Sequence, residues 1–184
     1  MLYIVTALKP EAQAFVDKYR LTKERLNGHL LFKNSNMMLI VSGVGVENAR
    51  EATQTLINHF DITDNDIYLN VGICGATKSY EVGELLSISE IKYDGQSYRV
   101  SNSAAHTLTC IDVEATTNEH EIVDMDSFGF YDAVRHSPAI KTMFILKVVS
   151  DHFEPHLITK EKTKALIFNT IDDINSLLFN KDEI

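Results

Sequence analysis

Apolar residues in this chain fall into short unbroken runs and into longer stripes of helical period, the two patterns that mark buried strands and amphipathic helices. Leu2 to Leu8 is short, apolar and β-branched, which predicts a buried strand; Pro10 then starts a helix that Glu11 opens. Leu30 to Phe32 and Met37 to Val41 form a hairpin across the polar turn Asn34-Ser35-Asn36. From Val46 to Phe60, Ala49, Ala52, Leu56, Ile57 and Phe60 trace one helical face. Strands are predicted at Ile67 to Val71 and at Leu85 to Ile91, the second pairing with Tyr98 to Val100 across Asp94-Gly95. Ser127 to Arg135 reads as a helix and Met143 to Val149 as a strand covered on both faces. Thr159 caps a long last helix whose Leu166, Ile167, Thr170, Ile171, Ile174 and Leu178 repeat at helical spacing. Ser101 to His120, rich in Ser, Thr, Asn and Ala, is expected to be a loop or a short edge element.

Strands that alternate with helices predict an α/β fold, a three-layer sandwich with a largely parallel or mixed central sheet. The 184 residues, 45% of them hydrophobic, suffice for a single domain over residues 1–184 with a sizeable core. A formal net charge of -9, with no dense Lys/Arg run, argues against nucleic acid or an anionic membrane as partner. No run reaches the length of a membrane span, and the amino terminus lacks a signal-peptide cleavage site. Cys74 and Cys110 have neither the number nor the spacing of a disulfide framework or metal site, so reduced thiols and a cytoplasmic setting are expected.

Candidate chemistry sits where strands end. Glu11, Asp126 and Asp151 each fall just beyond a predicted strand, and ligands of open α/β sheets bind at the carboxyl ends of the strands. Each acid alone has a simpler explanation: the helix dipole for Glu11, a solvated pair with Asp124 for Asp126, a turn for Asp151. Asp124 and Asp126 lack a nearby His or Glu at ligand spacing, so no metal is expected. The seven histidines are scattered and read as surface residues. The joint placement of the three acids favours catalysis over the separate explanations.

Five segments stand in order along the chain: Ile4-Val5-Thr6-Ala7-Leu8 with Glu11; Ser42-Gly43-Val44-Gly45; the glycine turn in Leu69-Asn70-Val71-Gly72-Ile73-Cys74-Gly75, followed by Val82-Gly83-Glu84; Asp124-Met125-Asp126; and Val149-Ser150-Asp151. Together they resemble motifs of the nucleoside phosphorylase superfamily, in particular its methylthioadenosine/S-adenosylhomocysteine nucleosidase branch. The resemblance implies hydrolysis of the N-glycosidic bond of a purine nucleoside such as methylthioadenosine, adenosylhomocysteine or a futalosine-type compound, with no cofactor and a homodimer as the assembly. It implies Asp151 as proton donor to the base and Glu11 as activator of water. Asp126, with Met125, would hold the ribose, and Gly72, Ile73 and Ser150 would complete the substrate site.

Phosphorylases of the superfamily commonly place an arginine before the glycine segment to bind phosphate, and Asn70 stands in that neighbourhood here. The chain departs from the pattern in three ways: Asp126 stands where the family has glutamate, Ile73 where it has a small hydroxyl residue, and the stretch from Glu84 to Met125 is shorter. Phosphorolysis, and a degenerate member that binds a nucleoside or a partner chain without catalysis, remain the alternatives.

Overall fold

The computed structural model describes residues 1–103 and 105–179. β1 (Leu2–Thr6) leads into α1 (Lys9–Tyr19), the short strands β2 (Thr22–Leu26), β3 (His29–Lys33) and β4 (Met37–Val41), and α2 (Val46–His59). Five strands follow, β5 (Ile67–Ala76), β6 (Leu85–Tyr93), β7 (Gln96–Arg99), β8 (His106–Cys110) and β9 (Ile122–Asp124). α3 (Ser127–Arg135), β10 (Thr142–Asp151) and α4 (Lys160–Phe179) complete the order.

All these strands belong to one mixed sheet. β4, β1, β5 and β10 lie side by side in that order and run parallel to one another, whereas β2, β3 and β4 pair antiparallel at one side. At the other side β6 pairs with both β10 and β8, β8 with β9, and β9 with the end of β5, so five strands close on themselves. Closure removes a free edge beside the longest strands.

Side chains alternate across the sheet. Ile4, Leu69, Val71, Leu146 and Val148 pack with Phe15 of α1 and Ile167 and Ile171 of α4. Tyr3, Val5, Tyr68, Ile145 and Val149 pack on the other side with Leu56 of α2 and Phe130 and Tyr131 of α3. α2 and α3 cross closely because Gly129 has no side chain: a Cβ there would sit 1.9 Å from the Val46 carbonyl oxygen.

Two expectations are corrected, and one strand was not expected. The glycine-rich segment Val71 to Gly75 is not a turn; it continues β5, paired in register with β10 from Val71 to Cys74 and, past an irregularity at Ser150, at Gly75 with Asp151. Ser101 to His120, of which residue 104 lies outside the described residues, is not all loop or edge: His106–Cys110 is an interior strand between β6 and β9. Its Leu108 and Cys110 are buried, so two alternate positions suffice to anchor a strand flanked on both sides. β2 was not foreseen, since its Thr-Lys-Glu-Arg run is exposed and apolar only at Leu26. The turn Asn27-Gly28, both residues at positive φ, sets this hairpin, and charged residues suit an edge strand.

Candidate active site

The carboxyl end of the central strands is built from backbone geometry first. Pro10 and Glu11 lie in the first turn of α1, directly after β1, so the Glu11 side chain reaches back over the strand ends. Its Oε2 accepts from the Leu8 N–H at 2.8 Å and its Oε1 from the Ile73 N–H at 2.9 Å. Gly72 makes the approach feasible, because a Cβ there would come within 2.8 Å of Oε1. Gly72 therefore admits Glu11 to the sheet and does not line the cavity, whereas Ile73 does.

Burial pushes the Glu11 carboxyl up to about 7. The nearby Asp126 carboxylate adds to the rise, while the two amide bonds and the Lys147 ammonium oppose it. An acid in the first helical turn is usually exposed to solvent, but Glu11 is 1% exposed, so the dipole alone does not explain it.

β9 and α3 supply the second group. Asp124 accepts from the Ser127 hydroxyl at 2.7 Å and from the Ser127 N–H at 3.0 Å, and lies 2.8 Å from the Lys147 ammonium. Asp126, two residues on, accepts from the Gly45 N–H at 3.3 Å and stands 3.8 Å from the same ammonium. Burial raises the Asp126 carboxyl above the usual range against the pull of Lys147, with Asp124 contributing to the rise.

Lys147 is the residue that sequence reading missed. It is fully buried in β10, opposite Gly72 in the neighbouring strand. Burial disfavours its charge, yet Asp124 and Asp126 outweigh that cost and hold its pKa above the ordinary value. The signal was a single lysine inside an otherwise apolar strand predicted to be covered on both faces.

The third group closes β10. The Ser150 hydroxyl donates to Asp151 Oδ2 at 2.6 Å, with the Cys74 carbonyl oxygen at 3.1 Å as the other acceptor in reach. Asp151 Oδ1 accepts from the Glu154 N–H at 2.8 Å, so the turn-forming explanation holds for one oxygen of this carboxylate.

Glu11, Asp126 and Asp151 all line one cavity of about 280 Å³, together with Met125, Ile73 and Ser150. Among the described residues lining it there is no lysine, arginine or histidine. Cys74 also lines it, but burial pushes that thiol well up, so it is a neutral group rather than a nucleophile. His152, adjacent in sequence to Asp151, turns away to the Ala76 carbonyl oxygen, 2.9 Å from its Nδ1.

No protein-family model matches the chain, and no curated protein matches it in sequence. Solved structures do match in fold. A 5'-methylthioadenosine/S-adenosylhomocysteine nucleosidase from Helicobacter pylori, bound to butyl-thio-DADMe-Immucillin-A, superposes with a TM-score of 0.80 at 13% identity over 97% of both chains. The corresponding nucleosidase of Colwellia psychrerythraea 34H, in complex with adenine, gives 0.75 at 18% identity over 93% of this chain and 94% of that one. Futalosine hydrolase of Helicobacter pylori gives 0.80 at 13% identity over 97% of both. The chain thus has the fold of the methylthioadenosine/S-adenosylhomocysteine nucleosidases, a nucleoside phosphorylase-like α/β architecture.

Proposed function

We propose that this protein hydrolyses the N-glycosidic bond of a purine nucleoside of the methylthioadenosine, adenosylhomocysteine or futalosine type. The observation that carries the reading is the convergence of three buried carboxylates, Glu11, Asp126 and Asp151, on one cavity at the strand ends of a nucleosidase fold.

Cleavage of this bond passes through a ribosyl cation, so the site must help the base leave, stabilise positive charge and deliver water. Asp151 donates a proton to the ring nitrogen of the base, which departs neutral. Asp126 accepts hydrogen bonds from the ribose hydroxyls, Met125 packs on the sugar, and the carboxylates favour the developing cation. Glu11 takes a proton from the water that adds to the anomeric carbon. Each Glu11 oxygen accepts one amide bond and keeps a free acceptor site for that water. A carboxyl poised near 7 suits a general base at neutral pH. The products are the free sugar and the free base, and proton exchange with solvent resets both acids.

The acid-rich lining favours water over phosphate as nucleophile. An anion entering this cavity would meet several carboxylates, and the adjacent ammonium, Lys147, is already engaged by Asp124. A neutral nucleoside meets no such barrier. The single-domain organisation over residues 1–184, the homodimer and the cytoplasmic setting are part of the same proposal. Val44, exposed at the cavity, and the exposed Val113 and Leu157 beside lining residues offer apolar surface that a second copy would cover. Two buried free cysteines suit a reducing compartment, and no helix among the described residues is long and apolar enough to cross a membrane.

A screen of purine nucleosides with and without phosphate, following free base by chromatography, tests the reading. Release of base and free sugar without phosphate is expected. A ribose 1-phosphate product would replace hydrolysis with phosphorolysis, and silence toward every nucleoside would favour the non-catalytic alternative.

A further inference from the structure

Immediately after Asp151 the chain makes a turn that the local sequence does not favour. Phe153 has a φ of 65°, a left-handed conformation that bulky side chains rarely adopt. The Glu154 N–H bound to Asp151 Oδ1 closes the turn around it. The result is an aromatic ring set into the wall of the cavity two residues from Asp151. Among the described residues that line the cavity, Phe153 is the one aromatic side chain.

Gly75 lies beside this ring. A Cβ on Gly75 would be 3.2 Å from Val123 Cγ2, 3.5 Å from Phe153 Cδ1 and 3.7 Å from Asp151 Oδ1. Phe153, Val123 and the Asp151 carboxylate therefore converge on one bare stretch of β5 backbone. Bare backbone, flanked by an aromatic and an aliphatic side chain with a carboxylate at the edge, suits a flat heteroaromatic ring. Such a ring gains stacking contact on its face and hydrogen bonding at its rim.

We propose that Phe153 is the stacking platform for the departing base, and that the slot formed by Phe153, Val123 and Gly75 presents a ring nitrogen of that base to Asp151. This rests on the nucleosidase reading and adds to it the residue that recognises the base. Phe153 is a binding and specificity residue; the proton still comes from Asp151.

The test is calorimetric titration of free adenine and hypoxanthine into the wild type, Phe153→Leu and Phe153→Tyr, with steady-state kinetics on a cleaved nucleoside. Stacking of a base on an aromatic ring is worth about 1–3 kcal/mol, so Phe153→Leu is expected to weaken purine binding by about tenfold or more. Phe153→Tyr should stay within about threefold of wild type, and kcat at saturation should fall far less than affinity does. Purine affinity of Phe153→Leu within twofold of wild type would overturn the assignment. So would a collapse of kcat with affinity unchanged, which would mean that Phe153 only holds the Asp151 turn. Should Phe153→Leu fail to fold, Gly75→Ala fills the same slot and must weaken purine binding by the same order; unchanged binding there also overturns the proposal. A wild type that binds neither purine bases nor nucleosides would instead remove the nucleosidase reading, and this inference with it.

Discussion

The two faces of the central sheet solve different problems with the same strand. In β10, Leu146 and Val148 enter the apolar core under α1 and α4, while Lys147 between them is buried on the side of α2 and α3. On the first face the buried hydroxyls of Thr163 and Thr170 on α4 each donate to a backbone carbonyl of their own helix or its cap. On the second, near the carboxyl ends of the strands, Lys147 meets Asp124 and Asp126, and Glu11 folds in from α1. Buried charges weaken a fold unless they are paired, and a half-satisfied cluster of this kind is tolerated mainly where it performs chemistry. Period-two alternation thus separates stability from function within single strands.

The largest expected effect lies at the edge of the charged face. Asp151→Asn keeps the shape but removes the transferable proton, and should lower the cleavage rate by about 10²–10⁴-fold with little change in stability. A rate within a factor of about two of wild type, read by base release, would take Asp151 out of the mechanism.

Neighbouring positions of β10 sharpen the contrast. Lys147→Met strands Asp124 without its ammonium and should cost about 3–5 kcal/mol in denaturant unfolding. It should also raise the carboxyls of Glu11 and Asp126 further, moving the acid limb of the activity profile to higher pH. Leu146→Ala, on the other face, should cost about 2–5 kcal/mol by cavity formation, yet leave activity per folded molecule and the pH profile unchanged. Equal pH profiles for the two variants would erase the functional distinction between the faces.

Glu11 makes a smaller, signed prediction. Its folded value lies above its unfolded one, so the folded state binds the extra proton between pH of about 4.5 and about 7, and stability falls as pH rises through that window. Glu11→Gln should flatten this slope, a difference on the order of 2–3 kcal/mol between pH 5 and 8. Parallel stability curves for the two proteins would show that Glu11 is not held as described. A last prediction concerns Gly129, where an added Cβ would meet backbone rather than a yielding side chain. Gly129→Ala must push α3 off the Val46 carbonyl, costing about 1–3 kcal/mol and loosening the Gly45 amide from Asp126. An unchanged melting temperature would mean that the two helices are not locked at this crossing.

Much of this was legible along the chain. The alternation of apolar runs and helical stripes placed β1, β3, β4, β5, β6, β10 and α1 to α4, because both periodicities are local properties. It failed at β2 and β8, whose residues carry little apolar signal, and at Gly72 to Gly75, where glycines suggested a turn. Those segments are strands because their neighbours pair with them, and pairing is a long-range fact that composition does not carry.

The sequence by itself determined that three acids follow three strands, and that the order of motifs resembles a nucleosidase. Tertiary structure decided which of those groups meet. It folded Glu11 over Gly72, set Lys147 against Asp124, and turned Phe153 into the cavity beside Asp151. Parallel pairing of β5 with β10 sets Gly72 against Lys147, antiparallel pairing of β9 with β5 returns Asp124 to the same end of the sheet, and a carboxyl is desolvated toward neutral pH only once that end is closed.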